Sequence, residues 1–248
     1  MAIFIKNDGQ VALMRIAGKI CANAHEVLAK HIKPGVTTAE LDKVAHEYIL
    51  SQDAQPSFLG YGGYPNATCI SVNNEVIHGI PGMRRLKNGD IVSVDIGVCY
   101  NFFHGDAART HAVGDVLDEH KRLLLAAEQS FFEGIAFAKA GLRLHDISAA
   151  VGDYVTAQGF GIVESWCGHG IGRKLHEDPQ IPNIRQNRSG PKLGRGMTLA
   201  IEPMINTGSG ETNMLDDGWT VVTKDGGYSA HYENTILITD GEPEILTL

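Results

Sequence analysis

The sequence has 248 residues, 43% of them hydrophobic and 20% charged, with a formal net charge of −8 at pH 7. That length suits one large domain or two small ones and supplies enough apolar surface for a sizeable core. The acidic balance, with no dense basic run beyond Arg84-Arg85, argues against a nucleic-acid groove. No apolar run approaches the roughly 18 residues a spanning helix requires, so neither a membrane segment nor an export signal is expected. Cys21, Cys69, Cys99 and Cys167 lie far apart without a Cys-x-x-Cys pair, which fits neither a zinc clip nor a disulfide framework and points to a reducing cytosol.

Between Val11 and Ile32 the residues Leu13, Ile16, Ala17, Ile20, Ala24, Val27 and Leu28 recur every three or four positions, the period of an amphipathic helix that Pro34-Gly35 ends. Thr37 with Glu40 forms a capping-box pattern that opens a second helix through Leu41, Val44, Ala45, Tyr48 and Ile49. His78-Gly79-Ile80 follows, then Gly89-Asp90-Ile91-Val92-Ser93-Val94-Asp95, a β-branched run ending in an acid. The later half repeats the plan. Leu123, Leu124, Ala127, Phe131, Ile135 and Ala138 mark a helix broken at Ala140-Gly141, and Ile147, Ala150, Val151, Tyr154 and Val155 mark the next. His169-Gly170-Ile171 and the run from Gly196 to Glu202 complete the copy. Gly35, Leu41, Ala45 and Tyr48 align with Gly141, Ile147, Val151 and Tyr154 at a constant offset. The ordered series predicts one α+β domain over residues 1–248, with pseudo-repeat halves at roughly 11–110 and 118–240 whose strands pair across a pseudo-twofold centre. Asn88-Gly89, Asp217-Gly218, Asp225-Gly226 and Asp240-Gly241 are hairpin signals, so the sheet is expected to be mostly antiparallel.

Side chains alternate along a strand, so Asp95 shares a face with Ser93 and Ile91, and Glu202 with Ala200 and Thr198. Val92, Val94, Ile96, Leu199 and Ile201 point the other way. An acid on an apolar strand is costly to bury unless something positive meets it, and a metal ion is the economical candidate. Asp106 follows Asp95 within Phe103–Ala108, and Glu233 follows Glu202 within His231–Ile236, so each half offers two acids. With His169 as a nitrogen donor, Asp95, Asp106, Glu202 and Glu233 make an oxygen-rich set suited to manganese, iron(II) or cobalt. Taken singly, each has an ordinary structural reading: Asp95 and Asp106 as strand-end or turn acids, Glu233 on a solvated edge, His78 and His169 as satisfied structural histidines. Their joint order favours the metal. His25, His31, His46, His120 and His145 sit in or beside helices and read as surface residues, whereas His104 and His231, two residues from Asp106 and Glu233, are placed to support ligands from behind.

Several stretches of the chain resemble the type I methionine aminopeptidases, the smallest members of the two-metal pita-bread peptidase family. They are Gly60-Tyr61-Gly62-Gly63-Tyr64-Pro65, Glu75–Pro81 around His78, Cys167-Gly168-His169-Gly170-Ile171-Gly172, His176-Glu177-Asp178-Pro179, Ile201-Glu202-Pro203-Met204, Asp217-Gly218-Trp219-Thr220 and Tyr232-Glu233-Asn234-Thr235. The resemblance implies a curved, mostly antiparallel sheet backed by two helix pairs with internal pseudo-twofold symmetry. It also implies two divalent ions (cobalt, manganese or iron(II), with zinc admitted) on Asp95, Asp106, His169, Glu202 and Glu233.

The implied reaction is removal of the initiator methionine from nascent polypeptides with a small second residue, by a hydroxide held between the metals. Glu202 would be both ligand and proton shuttle, His176 a donor to the developing oxyanion, and His78 a contact to the scissile amide. Phe58, Tyr61, Tyr64, Cys69 and Trp219, with His78 and His176, match the substrate pocket, where an aromatic and sulfur-lined slot suits an unbranched thioether. The chain departs from the family at Phe58, often cysteine, at Leu175, often aromatic, and at Gly62 and His111. Those changes bear on pocket shape and leave the metal site untouched. Relatives that cut before proline, or act on creatine, are set aside on size, and the type II enzymes by the short interval between Glu202 and Glu233. The two alternatives are a same-fold aminopeptidase with shifted specificity and a non-catalytic paralogue that binds a ribosome or RNA, which would be expected to lose ligands or gain a basic patch. A cytoplasmic monomer acting on nascent chains, with docking to the ribosome allowed, is the expectation.

Overall fold

The computed structural model describes residues 2–248. Four helices come in two consecutive pairs, α1 (Asp8–Ala29) with α2 (Thr38–Ser51) and α3 (Asp118–Ile135) with α4 (Leu144–Ala157), each pair followed by a run of strands. In the first half these are β1 (Gln55–Pro56), β2 (Cys69–Val72), β3 (Glu75–Ile77), β4 (Ile91–Tyr100) and β5 (Phe103–Ala112). In the second half they are β6 (Gly161–Ile162), β7 (Gly168–Gly170), β8 (Glu177–Ile181), β9 (Thr198–Ile201), β10 (Met204–Asn206), β11 (Thr212–Met214), β12 (Val221–Thr223), β13 (Ser229–His231), β14 (Glu233–Leu237) and β15 (Glu244–Ile245). None of the described helices is long and apolar enough to cross a membrane.

The helix starts follow cap chemistry. Thr37 accepts from the Glu40 amide at 3.1 Å while the Glu40 carboxylate accepts from the Thr37 amide at 2.7 Å, the reciprocal capping box the sequence predicts. Asn7 and Gln10 make the same exchange, which starts α1 at Asp8, ahead of the apolar periodicity at Val11.

The principal sheet runs in the order β1-β4-β5-β14-β9-β7-β8, with every pairing antiparallel. β5 of the first half meets β14 of the second, with Ala108 opposite Glu233, so the sheet passes from one half to the other without a break. Alternation sorts its two faces. Val92, Val94, Ile96, Val98 and Ala107 pack with Ile20, Ala24 and Leu28 of α1 and Leu41, Ala45 and Ile49 of α2. Leu199, Ile201 and Ile236 pack with Leu123 and Phe131 of α3 and Ile147 and Val155 of α4. Both helix pairs thus cover one side of the sheet, and the acids are left to the other.

Hairpin signals divide into two outcomes. Asp217-Gly218 joins paired β11 and β12, and Asp240-Gly241 joins paired β14 and β15. Asn88-Gly89 and Asp225-Gly226 are turns between strands that do not pair with each other, because their neighbours are claimed by longer-range ladders. The longest hairpin, β4 to β5, instead turns at Asn101 and Phe102, both with positive φ (46° and 67°) and neither a glycine. Asn tolerates that region, and ten paired residues on each strand hold Phe102 there.

Two histidines read as surface residues are buried. His25 lies on the α1 face shared with Cys21 and Leu28 and hydrogen-bonds the Ala107 carbonyl at 2.9 Å. His120 stacks on Tyr228 with ring centroids 4.0 Å apart. A single hydrogen bond or a flat stack suffices to admit a neutral imidazole to a helix–sheet interface.

Helix α1 approaches β5 through two glycines. A Cβ at Gly105 would stand 2.8 Å from the Gly18 nitrogen, and a Cβ at Gly18 would collide with the Leu246 carbonyl. Gly18→Ala is therefore expected to destabilise the fold by about 1–3 kcal/mol, measured by urea unfolding at fixed metal content; an unchanged midpoint would refute the close-contact account.

Candidate metal centre and substrate cleft

The ladder registers bring the acids together. Asp95 on β4 faces Ala108 on β5, and Ala108 faces Glu233 on β14, so the two carboxyl groups flank one small side chain. Asp106 lies opposite Gly97, on the same face two residues along β5. On the far side Thr235 faces Ala200, and Ala200 faces His169. The Thr235 hydroxyl donates to the Asp106 carbonyl and accepts from the Asp106 amide, both at 2.9 Å, tying the two halves at this row. Glu202 follows β9 immediately, at the point where the main sheet hands over to the β10–β13 pair. Small residues stand opposite the acids and His169 in these ladders, at Gly97, Ala108 and Ala200.

Asp106, His169 and Glu233 are buried, and Asp95 and Glu202 are partly buried. His169 Nε2 is 3.6 Å from Glu202 Oε1 and 4.0 Å from Asp106 Oδ2. Its Nδ1 lies 2.9 Å from the Gly170 carbonyl, which can only accept, so the ring proton sits there and the Nε2 lone pair faces the acids. Burial, reinforced by neighbouring carboxylates, holds Asp95, Glu202 and Glu233 well above the usual carboxylate range. Burial also pushes Asp106 up to about 7. Burial and the neighbouring His176 lower His169 to about 3. Asp95 Oδ1, Asp106 Oδ1 and Glu233 Oε1 are buried without a hydrogen-bond partner. Two groups, Asp106–His169–Glu233 and Glu202–His231–Glu233, each bring donor atoms within 4.8 Å of one another. Orphaned carboxylate oxygens, a lone pair aimed at them and a shared Glu233 make a donor set that fits a dinuclear divalent site.

The acids line a cleft of about 840 Å³, together with all seven residues matched to a substrate pocket. Tyr64 is buried, its hydroxyl proton shared between the carbonyls of Gly79 (2.9 Å) and Thr68 (3.1 Å), with its ring edge-on to Trp219. Cys69 is paired to Asp95 in the ladder, and Phe58 fills the space above Gly97, where a Cβ would stand 2.7 Å from its ring. His78 has a positive φ of 58° and stands edge-on to Trp166, and burial lowers it to about 4. His176 meets the Tyr61 hydroxyl at 2.7 Å through Nδ1, its ring centroid 4.3 Å from that of His169. His104 turns from the acids and meets Ser57 Oγ at 2.8 Å, whereas His231 joins them. Trp166, Ile77 and the Ala2–Phe4 segment also line the cleft. No local pattern marks them, since each arrives from a loop, a strand end or the chain start.

Unfolded histidines lose their remaining protons between pH 6.5 and about 7.5, so only above that range do their depressed folded values stop contributing. Carboxyls raised by folding bind protons more tightly when folded, so the stability they contribute is lost as pH rises through about 7 for Asp106. The melting temperature of chelator-stripped protein is expected to fall between about pH 7.5 and 8.5 as the raised carboxyls ionise, with a shallower slope in Asp106→Asn. Scanning calorimetry that shows a flat profile would contradict this electrostatic picture.

The profile of metallopeptidase family M24 matches residues 12–240. The chain is 54% identical over 246 residues to the methionine aminopeptidase of Clostridium perfringens, covering 99% of both chains. It is 50% identical over 245 residues to methionine aminopeptidase 1 of Bacillus subtilis, again covering 99% of each. The crystal structure of methionine aminopeptidase from Rickettsia prowazekii superposes with a TM-score of 0.98 at 40% identity, covering 100% of both chains. With its acids and histidine gathered on one face of this fold, the chain belongs to metallopeptidase family M24.

Proposed function

We propose that this protein is a methionine aminopeptidase that removes the initiator methionine from nascent polypeptides whose second residue is small. The observation that carries the reading is the position of the four acids and His169 on the floor of a cleft whose walls include Phe58, Tyr64, Cys69 and Trp219. Full-length similarity to proteins named methionine aminopeptidase supports it. A non-catalytic paralogue is not favoured, because the acids, His169 and the cleft are all retained.

Asp95, Asp106, His169, Glu202 and Glu233 would hold two divalent ions; the ligand set suits cobalt, manganese or iron(II) and admits zinc. Bound there, the ions would polarise the first peptide carbonyl and make water acidic enough to react at neutral pH. Glu202 is more accessible than Glu233, which suits it to take a proton from water and pass it to the leaving amine. If Tyr61 donates to His176 Nδ1, the ring proton lies on Nε2, free to donate to the oxyanion that develops on the carbonyl. His78, neutral at pH 7 and braced by Trp166, is placed to hold the scissile amide. Tyr64 and Trp219 offer flat apolar surface, and Cys69 a polarisable sulfur, to an unbranched methionine side chain. Action in the cytoplasm on nascent chains completes the reading.

Metal-stripped protein reconstituted with manganese, iron(II), cobalt or zinc is expected to release methionine from Met-Ala-Ser and not from Met-Leu-Ser. Glu202→Ala should abolish release. If no metal restores cleavage of Met-Ala-Ser, the assignment fails. His176→Ala and His78→Ala are each expected to lower kcat by about 10²–10³-fold at unchanged metal content, compared by steady-state kinetics and elemental analysis.

A further inference from the structure

His231 enters the acid cluster from the side opposite His169. Its Nε2 lies 3.5 Å from Glu202 Oε2 and 3.9 Å from Glu233 Oε2, whereas His169 faces Glu202 Oε1. His231 is 2% exposed, and its Nε2 has no hydrogen-bond partner. The position is built from the backbone. Met204, two residues beyond Glu202, pairs with His231, two residues before Glu233, so the ring is delivered between the two carboxyl groups. The Thr110 hydroxyl accepts from the His231 amide at 2.9 Å and donates to its carbonyl at 2.8 Å, and Ser93 Oγ lies 2.8 Å from that hydroxyl. Ser93 and Thr110 belong to the strand faces that carry Asp95 and Asp106, so this clamp fixes His231 to the acid floor.

Donor atoms about 2.0–2.2 Å from one divalent ion stand about 3–4 Å from each other. Both separations of His231 Nε2 fall in that range, as do those of His169 Nε2. A buried Nε2 that faces two carboxylate oxygens yet hydrogen-bonds neither fits a cation held between them. We propose that His231 is a second nitrogen ligand of the metal centre, binding a divalent transition-metal ion together with Glu202 and Glu233. This rests on the reading of the acid cluster as a metal site and adds a donor to it. A second imidazole biases the centre towards ions that favour nitrogen, such as zinc and cobalt, over magnesium and calcium, which favour oxygen.

The test uses full-length protein labelled with ¹⁵N-histidine and loaded with ¹¹³Cd. Two histidine Nε2 resonances are expected to show ¹¹³Cd–¹⁵N splitting, one of them lost in His231→Gln. The same variant is expected to bind one cadmium equivalent about 10–100-fold more weakly by calorimetry, with the melting curve of the metal-free protein showing that it folds. Splitting at His169 alone overturns the proposal and leaves the metal site standing, even if the variant loses affinity, since a hydrogen bond to Glu202 would then explain the loss. Splitting at neither histidine overturns the metal reading along with it.

Discussion

Four carboxyl groups converge on one cleft floor, and among the described residues no lysine or arginine forms an ion pair with any of them. Two like charges 4 Å apart at an effective dielectric of 20 repel by about 4 kcal/mol, several times the roughly 1 kcal/mol net value of a hydrogen bond. Side-chain hydrogen bonds alone cannot hold such a cluster ionised. Protons or cations must, and the raised affinity of Asp95, Asp106, Glu202 and Glu233 for protons expresses that demand. The same demand, met by divalent ions, is what the proposed chemistry uses.

The rest of the fold makes this arrangement tolerable. The β4–β5 hairpin fixes Asp95 and Asp106 through a continuous ladder, and β14 and β9 extend it to Glu233 and the approach to Glu202. Helices cover the opposite face with aliphatic side chains, so the acids have only one direction in which to project. Polar clamps then tie strand to strand where the halves meet: Thr235 on Asp106, Thr110 on His231, and Arg109, which donates to the Glu233 carbonyl and to Asn234 Oδ1 from behind the site. The two threonine clamps hold backbone near the acids without adding charge, whereas Arg109, held on the Glu233 carbonyl, also favours the ionised Glu233 carboxylate.

Much of this was legible in the chain. Alternation in Val92–Ile96 and Thr198–Ile201 separated the helix-facing residues from the acid face, since strand period depends only on local geometry, whereas Ile91, expected beside Asp95, is buried at the strand's start in the core shared with Leu123 and Phe131. The Thr37–Glu40 cap was legible because both partners lie within one turn. Local signals misled where distant partners intervened. Asn88-Gly89 carries a hairpin signature, yet the strands around it pair elsewhere, and the real β4–β5 turn sits at Asn101-Phe102, where no glycine marks it. His25 and His120 lie on helix sides that packing buried, and periodicity does not report whether an imidazole finds a carbonyl or a flat tyrosine ring.

By itself the sequence determined the fold class, the strand faces and the candidate acids, because periods, caps and ordered motifs are properties of neighbouring residues. It also placed His104 and His231 at the same remove from an acid, two residues away, and could not separate them. Tertiary structure decided between them: strand register turned His104 towards Ser57 and delivered His231 between Glu202 and Glu233. Which residues line the cleft was likewise decided by packing across the two halves, which brings Trp166, Ile77, Ala2 and Phe4 to it. Distances between remote residues depend on how every intervening element packs, and no local pattern carries that information.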